Sequence, residues 1–141
     1  LQKLDQPRDA IREFESVREQ DANNAVALNN LAWLYFQDND SRALETAEQA
    51  YAVDAERAEV VDTYGWILLQ KGNEPQRALT LLQQAFVAYP TNPEIGYHVA
   101  VALHRIGRDD EAARTLRRIL KENPSFSDAD AAKALLQKVG G

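Results

Sequence analysis

The sequence contains no cysteine and no methionine among its 141 residues. Without cysteine the chain can form no disulfide, offers no thiolate to a metal and has no cysteine nucleophile, although this absence does not identify the cellular compartment. Proline is scarce, with 5 residues, and runs of β-branched residues are short. Alanine, which has the highest intrinsic helix propensity, is abundant. The composition therefore favours a helical fold.

Long apolar segments are also missing from the sequence. No stretch approaches the roughly 20 apolar residues of a membrane-spanning helix, and the opening residues LQKLDQPRDA contain no apolar signal-peptide core. Because the chain does not begin with Met, we expect it to be a piece of a longer protein, and any targeting signal would then lie outside it. Hydrophobic residues make up 45% of the chain, which is enough for one folded domain or one stacked array.

The formal net charge of −6 is unevenly distributed along the chain. Residues 1–70 contain 6 basic and 14 acidic side chains, whereas residues 71–141 contain 10 basic and 8 acidic ones. Proteins that bind nucleic acid present an excess of basic side chains to the phosphates. We therefore expect no nucleic-acid partner, and we expect the N-terminal half to be strongly acidic.

A pattern of small and apolar residues occurs four times, at intervals of 33 to 35 residues. Within each copy the apolar positions are i, i+4 and i+7, which lie on one face of an α-helix. A fourth position, five residues further on, is Ala or Pro and ends the helix. The four columns are Ala10, Ala43, Ala78, Ala112; Phe14, Ala47, Leu82, Leu116; Val17, Ala50, Ala85, Ile119; and Ala22, Ala55, Pro90, Pro124.

Another apolar-periodic segment precedes three of these helices. Each such segment contains a large residue followed by a small one, and a small residue lets two helices approach closely. Turn-forming sequences, QDNDS, KGNEPQ and GRDD, join the two segments. Each unit is therefore predicted to be a helical hairpin of about 34 residues. The pairs are Leu31–Ala32, Tyr64–Gly65 and Val99–Ala100.

This unit resembles the tetratricopeptide repeat, and the resemblance extends over nearly the whole chain. It departs from the family pattern in having Leu and Val in the usual early aromatic place and Ala for two terminal prolines, which concerns the shape of the turns. The resemblance implies an all-α, right-handed superhelical solenoid of stacked hairpins. The predicted units are a half repeat (1–24), full repeats (25–57, 58–92 and 93–126) and a C-terminal capping helix (127–141).

The two ends of this array are predicted to differ. The last helix, over about 127–138, should begin at a Ser–Asp cap and pack through one side, made of Ala131, Ala134, Leu135 and Val139. Residues 1–24 look like the second helix of a hairpin whose first helix is missing. Their apolar residues are then expected to lack a packing partner, so this end should self-associate or fray. These residues are Ile11, Phe14 and Val17.

The family resemblance also implies a concave groove, lined by the first helices, that binds a peptide. In chaperone-docking members such a groove grips a carboxylate with basic side chains. Here Arg105 is the one basic residue of the candidate set, so an apolar, aromatic or basic protein segment fits better. Trp33 and Trp66 would serve either to contact that ligand or to pack against the next repeat. The candidate binding residues are Asn29, Trp33, Phe36, Asp62, Trp66, Glu94, Tyr97, His104 and Arg105.

Catalytic and metal-binding patterns are not found in the sequence. His98 and His104 lie six positions apart and so on different faces of one helix, whereas metal-binding His pairs on helices usually lie three or four apart. We predict no catalytic residue, no metal and no cofactor. The expected function is a non-catalytic protein-interaction scaffold. The alternatives are a structural or oligomerising spacer and a polysaccharide-binding module.

A basic stripe on the last second helix, formed by Arg114, Arg117, Arg118 and Lys121, leaves two interpretations open. It is either a solvated outer face or an electrostatic dock for an acidic partner.

Four sequence segments, which are the phrases given at the end of this paragraph, suggest a narrower resemblance. They are similar to the C-terminal repeats of large bacterial tetratricopeptide lipoproteins that accompany the exosortase (PEP-CTERM) sorting system and exopolysaccharide gene clusters. This resemblance implies a location in the periplasm or anchored in the cell envelope, and a role in export or polysaccharide assembly. The phrases are NNLAWL (29–34), RALETAEQAY (42–51), VDTYGWILLQKG (61–72) and EIGYHVAVAL (94–103).

Overall fold

Eight α-helices and no strand occur in the part of the chain that the structure, a computed structural model, describes. That part comprises residues 2–21 and 24–140, with side chains described from residue 8 onward. The prediction of an all-α helical solenoid is confirmed, while its right-handed sense stays a prediction. The helices are α1 (Gln2–Gln20), α2 (Ala25–Gln37), α3 (Ala43–Val53), α4 (Ala58–Lys71), α5 (Pro75–Ala88), α6 (Pro93–Arg105), α7 (Asp109–Glu122) and α8 (Ala129–Gly140).

Each helix packs on the next helix along the chain. In addition, α2 packs on α4 and α4 packs on α6, whereas within the described residues α3, α5 and α7 do not contact one another. The first helices of the hairpins are therefore closer together than the second helices, which puts α2, α4 and α6 on the inner, concave side. The division of the chain into repeat units stays a prediction.

The first three columns of the sequence repeat form the core of this stack on α3, α5 and α7. Small and apolar residues on α3, α5 and α7 face the inner helices, as the i, i+4, i+7 spacing predicts. Ala22, in the fourth column, lies outside the described residues. The exposed fraction is 2% or less for Ala43, Ala47, Ala50, Ala78, Leu82, Ala85, Ala112, Leu116 and Ile119.

The small residues of the first helices are places of close helix approach. Ala32 and Ala100 are fully buried. At Gly65 a Cβ atom would lie 2.9 Å from Leu82 Cγ and 3.2 Å from Leu81 Cβ, so only glycine fits at this separation of α4 and α5. The large–small pairs therefore set the distance between the helices of a hairpin.

Local sequence signals explain where the inner helices begin. The Ala27 N–H donates a hydrogen bond to Asn24 Oδ1 at 3.0 Å, and the Ile95 N–H donates one to Asn92 Oδ1 at 3.1 Å. Each asparagine thus satisfies a backbone donor that the first turn leaves unpaired.

Gly107, in the turn before α7, has a φ of 86°, which a glycine adopts without strain.

One side-chain tether is repeated between neighbouring hairpins. Gln84 Nε2 on α5 donates to the Ala55 carbonyl at 3.3 Å, and Arg118 Nη2 on α7 donates to the Pro90 carbonyl at 3.0 Å. The two donors are 34 residues apart and the two acceptors 35, so both tethers occupy equivalent positions. Each one ties an outer helix to the loop ahead of its own hairpin. Arg118 is therefore engaged within the fold, although the whole predicted basic stripe is exposed.

Helix α1 packs on α2 and closes the N-terminal end of the core. Ile11 is only 8% exposed, and Phe14 packs against the same core. The Tyr35 hydroxyl donates to Glu15 Oε2 across this contact. The expectation that Ile11 lacks a packing partner is therefore wrong, because the far side of α2 supplies one. Self-association through residues 1–24 stays a prediction, and part of that segment lies outside the described residues.

Helix α8 packs on α7 through a face that partly matches the predicted one, since Leu135 and Val139 contact the core. It begins at Ala129, directly after the Ser127–Asp128 pair that was expected to cap it. Ala131 and Ala134 are exposed, so the sequence placed them wrongly. Alanine has too little side chain to distinguish a buried face from an exposed one by spacing alone. The residues of α8 that contact the core are Ala132, Leu135, Leu136 and Val139, and Ala129 is buried at its start.

Candidate functional site

Helices α2, α4 and α6, together with the two residues before α8, surround a cavity of about 460 Å³. The cavity lies on the concave side of the stack, where the inner helices pack on one another. Six of the nine candidate binding residues lie together in its wall. The lining residues are Asn29, Asn30, Trp33, Asp62, Thr63, Trp66, Glu94, Tyr97, His98, Ser127 and Asp128.

Three repeated positions account for most of this wall. One is the predicted column of Asn29, Asp62 and Tyr97, and another contains the two Trp residues. The third follows directly after the first and was missed from the sequence. Its residues differ in type, but their intervals of 33 and 35 could have identified them. This third column is Asn30, Thr63 and His98.

Trp66 is half-buried and packs against both the core and the neighbouring hairpin. Its indole stacks on the imidazole of His98, with ring centroids 4.1 Å apart and planes 19° apart. The Tyr97 ring lies 6.2 Å from the same indole. Trp66 therefore contributes to packing between α4 and α6 as well as to the cavity wall.

Trp33 occupies the equivalent place on α2 but has different surroundings. It is half-buried, and of the described residues it is not one of those that pack against the main core. Its ring lies 5.5 Å from Phe36, one turn further along the same helix. The alternative that both Trp residues serve only to pack one repeat on the next is thus weaker for Trp33 than for Trp66. Contact with a ligand stays a prediction for both.

His98 and Asp62 form a polar pair in the wall of the cavity. His98 Nδ1 lies 2.8 Å from Asp62 Oδ1. The side chains are 10% and 17% exposed, so the bond is largely shielded from solvent. A bond between the imidazole and this carboxylate fixes the ring orientation on which Trp66 stacks.

The cavity is acidic as well as aromatic. It contains the carboxylates of Asp62, Glu94 and Asp128, and no lysine or arginine lines it. Burial raises the pKa of the Tyr97 hydroxyl above its usual range, and the negative charge of Asp128 raises it further. Ser127 Oγ lies 3.4 Å from Glu94 Oε1, which is a weak contact between the loop before α8 and helix α6.

Asn29 carries a buried polar atom without a partner. Its Oδ1 atom has essentially no exposed surface and makes no hydrogen bond to any described residue. Buried side-chain oxygens are normally hydrogen-bonded, because an unpaired one costs the free energy of its lost hydration. Asp62, in the same column as Asn29, pairs with His98.

Three candidate binding residues lie outside the cavity wall. Phe36 packs on Trp33, and the Lys71 Nζ atom lies 5.9 Å from its ring centroid. His104 Nδ1 pairs with an acidic oxygen at the start of α7, 2.8 Å away. Arg105 Nη1 donates to the Leu69 carbonyl at 3.1 Å. These three residues are thus held by contacts within the fold, further along the inner helices than the cavity.

The described residues contain no group of three or more metal-ligating side chains that could hold an ion. None of the helices in residues 2–21 and 24–140 has the length and apolar character to cross a membrane. The aromatic rings, carboxylates and amides of the cavity are groups that bind by stacking, ion pairing and hydrogen bonding.

Comparison with known families supports the repeat identified in the sequence. Residues 73–138 match the family model of the tetratricopeptide repeat. This segment includes α5 to α8 and therefore one side of the cavity. No curated protein matches the chain.

Solved structures with the same fold include two that are described as TPR proteins. PilW, described as a widely conserved type IV pilus biogenesis factor, superposes with a TM-score of 0.80 at 24% identity, covering 99% of this chain and 66% of PilW. TTC0263, a thermophilic TPR protein of Thermus thermophilus, gives 0.74 at 22% identity, covering 96% and 75% of the two chains. YrrB, described as a TPR protein with an unusual peptide-binding site, gives 0.71 at 20% identity, covering 97% and 73%. At these identities the similarity shows the fold.

Proposed function

We propose that this chain is a non-catalytic tetratricopeptide scaffold whose concave groove binds a peptide or protein segment. The observation that carries the proposal is the position of Trp33 and Trp66, half-buried at equivalent places of consecutive hairpins in the wall of one cavity. Large aromatic side chains with one accessible face are frequent anchors at protein interfaces.

The dimensions of the cavity support a segment as the ligand. Its volume of about 460 Å³ lies within the usual range for a site that accepts a small molecule or one to two side chains. YrrB, which has the same fold, is described as having a peptide-binding site.

Replacement of Trp33 by Ala tests this proposal with the smaller risk of unfolding, because Trp33 lies away from the main core. A library of random 12-residue peptides is first selected on the wild-type chain, and dissociation constants are measured by fluorescence anisotropy. We expect Trp33→Ala to weaken binding about tenfold or more, the effect typical of an aromatic anchor, while the far-UV circular dichroism stays helical.

The matched control is Tyr89→Ala, which removes an aromatic side chain that is 49% exposed and outside the cavity. It should leave the dissociation constant unchanged. Peptides that bind Trp33→Ala as tightly as the wild type, or a selection that yields no binder at all, would contradict the proposal.

A second candidate function is binding of a polysaccharide. Two indole faces beside carboxylates and amides are groups on which sugar rings stack and form hydrogen bonds, and the cavity has all of them. A glycan array probed with the wild type and with Trp33→Ala separates this function from peptide binding. Signals that persist in the variant, or an array without signals, would argue against it.

The narrower resemblance supports a further proposal, that the chain acts at the bacterial cell envelope in export or exopolysaccharide assembly. The support for this proposal is the sequence similarity of residues 29–34, 42–51, 61–72 and 94–103 to those lipoprotein repeats. Fractionation of the native cells with an antibody to this chain tests it. We expect the signal in the periplasmic or envelope fraction, and recovery in the cytoplasm would overturn the proposal.

A structural role as a spacer or oligomerisation element is the remaining alternative. It would operate through α1, whose Phe14 and Val17 remain half-buried rather than buried after packing on α2. Sedimentation equilibrium of the chain and of a Val17→Arg variant tests this role. A concentration-dependent mass that is lost in the variant would support oligomerisation, and a monomer at all concentrations would exclude oligomerisation of this chain through α1.

A further inference from the structure

Four of the eleven aromatic rings have a cation of the array beside them. In four places an arginine or lysine charge lies within 6 Å of the centre of a ring, a distance at which the cation is attracted to the ring face. The pairs are Arg42 with Tyr35 at 4.3 Å, Arg118 with Phe86 at 5.1 Å, Arg77 with Tyr64 at 5.8 Å and Lys71 with Phe36 at 5.9 Å.

The rings of the cavity are not among these four. Among the described residues no cation lies over Trp33, Trp66 or Tyr97, and no lysine or arginine lines the cavity. Yet indole attracts a cation more strongly than phenol or phenyl rings do. The strongest cation-binding rings of the chain are therefore gathered in one cavity without a cation of their own.

The carboxylates of the cavity also lack a cation. Asp62 is held by His98 at 2.8 Å, and Glu94 has only the long contact of 3.4 Å with a serine hydroxyl. Asp128 makes no hydrogen bond or ion pair with any described side chain. Its charge acts on the hydroxyl of Tyr97, whose pKa it helps to raise. Glu94 and Asp128 thus have oxygens available to a donor from outside.

Asn29 provides an independent observation on the opposite side of the cavity. Its Oδ1 atom is buried and has no hydrogen-bond donor within the described chain. When a donor binds to such an acceptor, no hydrogen bond to water has to be broken first. The new hydrogen bond therefore contributes more free energy than it would at a hydrated oxygen. What the cavity lacks on both sides is a group rich in N–H donors and positive charge.

We propose that the cavity is a receptor for the guanidinium group of an arginine in the bound segment. This inference rests on the proposed peptide-binding function and specifies its ligand. Guanidinium is flat, so it stacks on indole, and it presents five N–H donors that pair with carboxylate and amide oxygens. The ammonium of lysine carries the same charge, but it is compact and strongly hydrated. It cannot stack flat on an indole, and it does not present parallel N–H donors to a carboxylate.

The fold already contains one arginine held in this way. Arg42 lies 4.3 Å above the Tyr35 ring, and its Nη2 donates to Asp40 Oδ2 at 2.8 Å while Nη1 lies 3.3 Å from Glu15 Oε2. One ring face and two carboxylates thus surround this guanidinium. The cavity has the same kinds of group, with indole in place of phenol and with Glu94 and Asp128 as the carboxylates.

The probe is the pentapeptide acetyl-Ala-Ala-Arg-Ala-Ala-amide, with citrulline and lysine versions as comparisons. Citrulline has nearly the shape of arginine but no charge. Binding is followed by the NMR signals of the two indole N–H groups of the ¹⁵N-labelled chain. We expect saturable shifts with the arginine peptide, and a dissociation constant about tenfold or more higher for citrulline, since hydrogen bonds to charged groups contribute roughly twice as much as neutral ones.

Variants of the two available carboxylates test the same contact from the protein side. The double variant Glu94→Gln with Asp128→Asn keeps the side-chain shapes and should weaken the arginine peptide about tenfold or more while leaving the citrulline peptide nearly unchanged. The matched control is Glu45→Gln with Asp130→Asn, which removes the same net charge at exposed positions outside the cavity. It should bind as the wild type does, which separates local contact from long-range attraction.

The outcomes distinguish this inference from the function on which it rests. Equal binding of arginine and citrulline peptides, or an arginine peptide that leaves both indole signals in place, overturns the inference. If library peptides without a cation still bind through Trp33, the scaffold function stands and the arginine receptor does not. If no peptide of either kind binds, both fail. Equal loss in the control double variant would assign the effect to overall charge and would also overturn the inference.

Discussion

The Nδ1 atom of His98 lies 2.8 Å from Oδ1 of Asp62, and this bond joins α6 to α4 in the wall of the cavity. The imidazole at the same time stacks on Trp66 at 4.1 Å. One ring thus connects an acidic and an aromatic group of the preceding hairpin. The packing of these two hairpins and the shape of the cavity therefore depend on the same contact.

Removal of the carboxylate should destabilise the array. In Asp62→Ala the largely buried Nδ1 of His98 loses its partner, which costs about 1–3 kcal/mol. We expect a decrease of this size in the free energy of unfolding, measured by urea denaturation at neutral pH. The control is Glu59→Ala, an exposed position one turn earlier on α4. Equal stability of the two variants would mean that the His98 contact contributes nothing to the fold.

Introduction of a methyl group at Gly65 should force α4 and α5 apart. The new Cβ would lie 2.9 Å from Leu82 Cγ, closer than carbon atoms approach without displacement. Overpacking costs roughly 1–3 kcal/mol and the higher helix propensity of alanine returns about 1 kcal/mol, so we expect Gly65→Ala to lower the free energy of unfolding by up to about 2 kcal/mol. Thermal unfolding measures this, with Glu45→Ala as an exposed control. A melting temperature at or above that of the wild type would show that the hairpin relaxes freely.

Alkaline pH should weaken the N-terminal end of the array through Tyr35. Burial and then the hydrogen bond to Glu15 raise the pKa of the Tyr35 hydroxyl from 10.0 to about 12. A group whose folded pKa is raised contributes full stability below its unfolded pKa and loses it as pH rises through the folded one. We therefore expect the free energy of unfolding to fall between about pH 10 and 12.

The Tyr35→Phe variant isolates this contribution. It lacks the titrating hydroxyl, so its stability should fall less steeply over the same pH range. Tyr64 and Tyr97, whose pKa values are also raised by burial, remain in both proteins and account for the residual slope. Urea denaturation at several pH values gives both curves. Parallel curves for the two proteins would exclude Tyr35 as a source of the pH dependence.

Two neighbouring alanines of α8 test which face of that helix packs on the array. Ala132 is fully buried, and Ala131 is exposed. Ala132→Arg should cost about 3 kcal/mol or more, because it places a large charged side chain in a filled core. Ala131→Arg should change the free energy of unfolding by less than about 0.5 kcal/mol, as surface substitutions usually do. The reverse order would restore the face that the sequence predicted.

The hairpins could be predicted from the sequence because their packing repeats. Ala43, Ala78 and Ala112 recur at nearly constant spacing since each occupies the same crowded place between two helices. Trp33 and Trp66 likewise occupy equivalent positions of α2 and α4 and line the same cavity. Such regular contacts make the spacing regular, and this spacing indicated the helical hairpins, whereas the six residues of the cavity wall were predicted from the family resemblance.

Structural features that occur only once in the chain give no repeated spacing from which they could be predicted. Ser127 and Asp128 close the cavity from a loop outside the repeat pattern, and they were not predicted. His98 was considered, but its partner Asp62 lies 36 residues away and belongs to another column. The family resemblance placed Phe36 and Arg105 on the groove face, but it does not define how far along the helices the cavity extends.

The cavity has a consequence for how the array responds to force and heat. Helix α2 contacts α4, and α4 contacts α6, but in the described chain α2 and α6 do not touch. In such a stack each unit is stabilised only by its nearest neighbours, so the ends can open one unit at a time. Trp33 of α2 and Tyr97 of α6 nevertheless face one space. A molecule filling that space would act as a next-nearest-neighbour link and would make three units open together, at a single sharp transition.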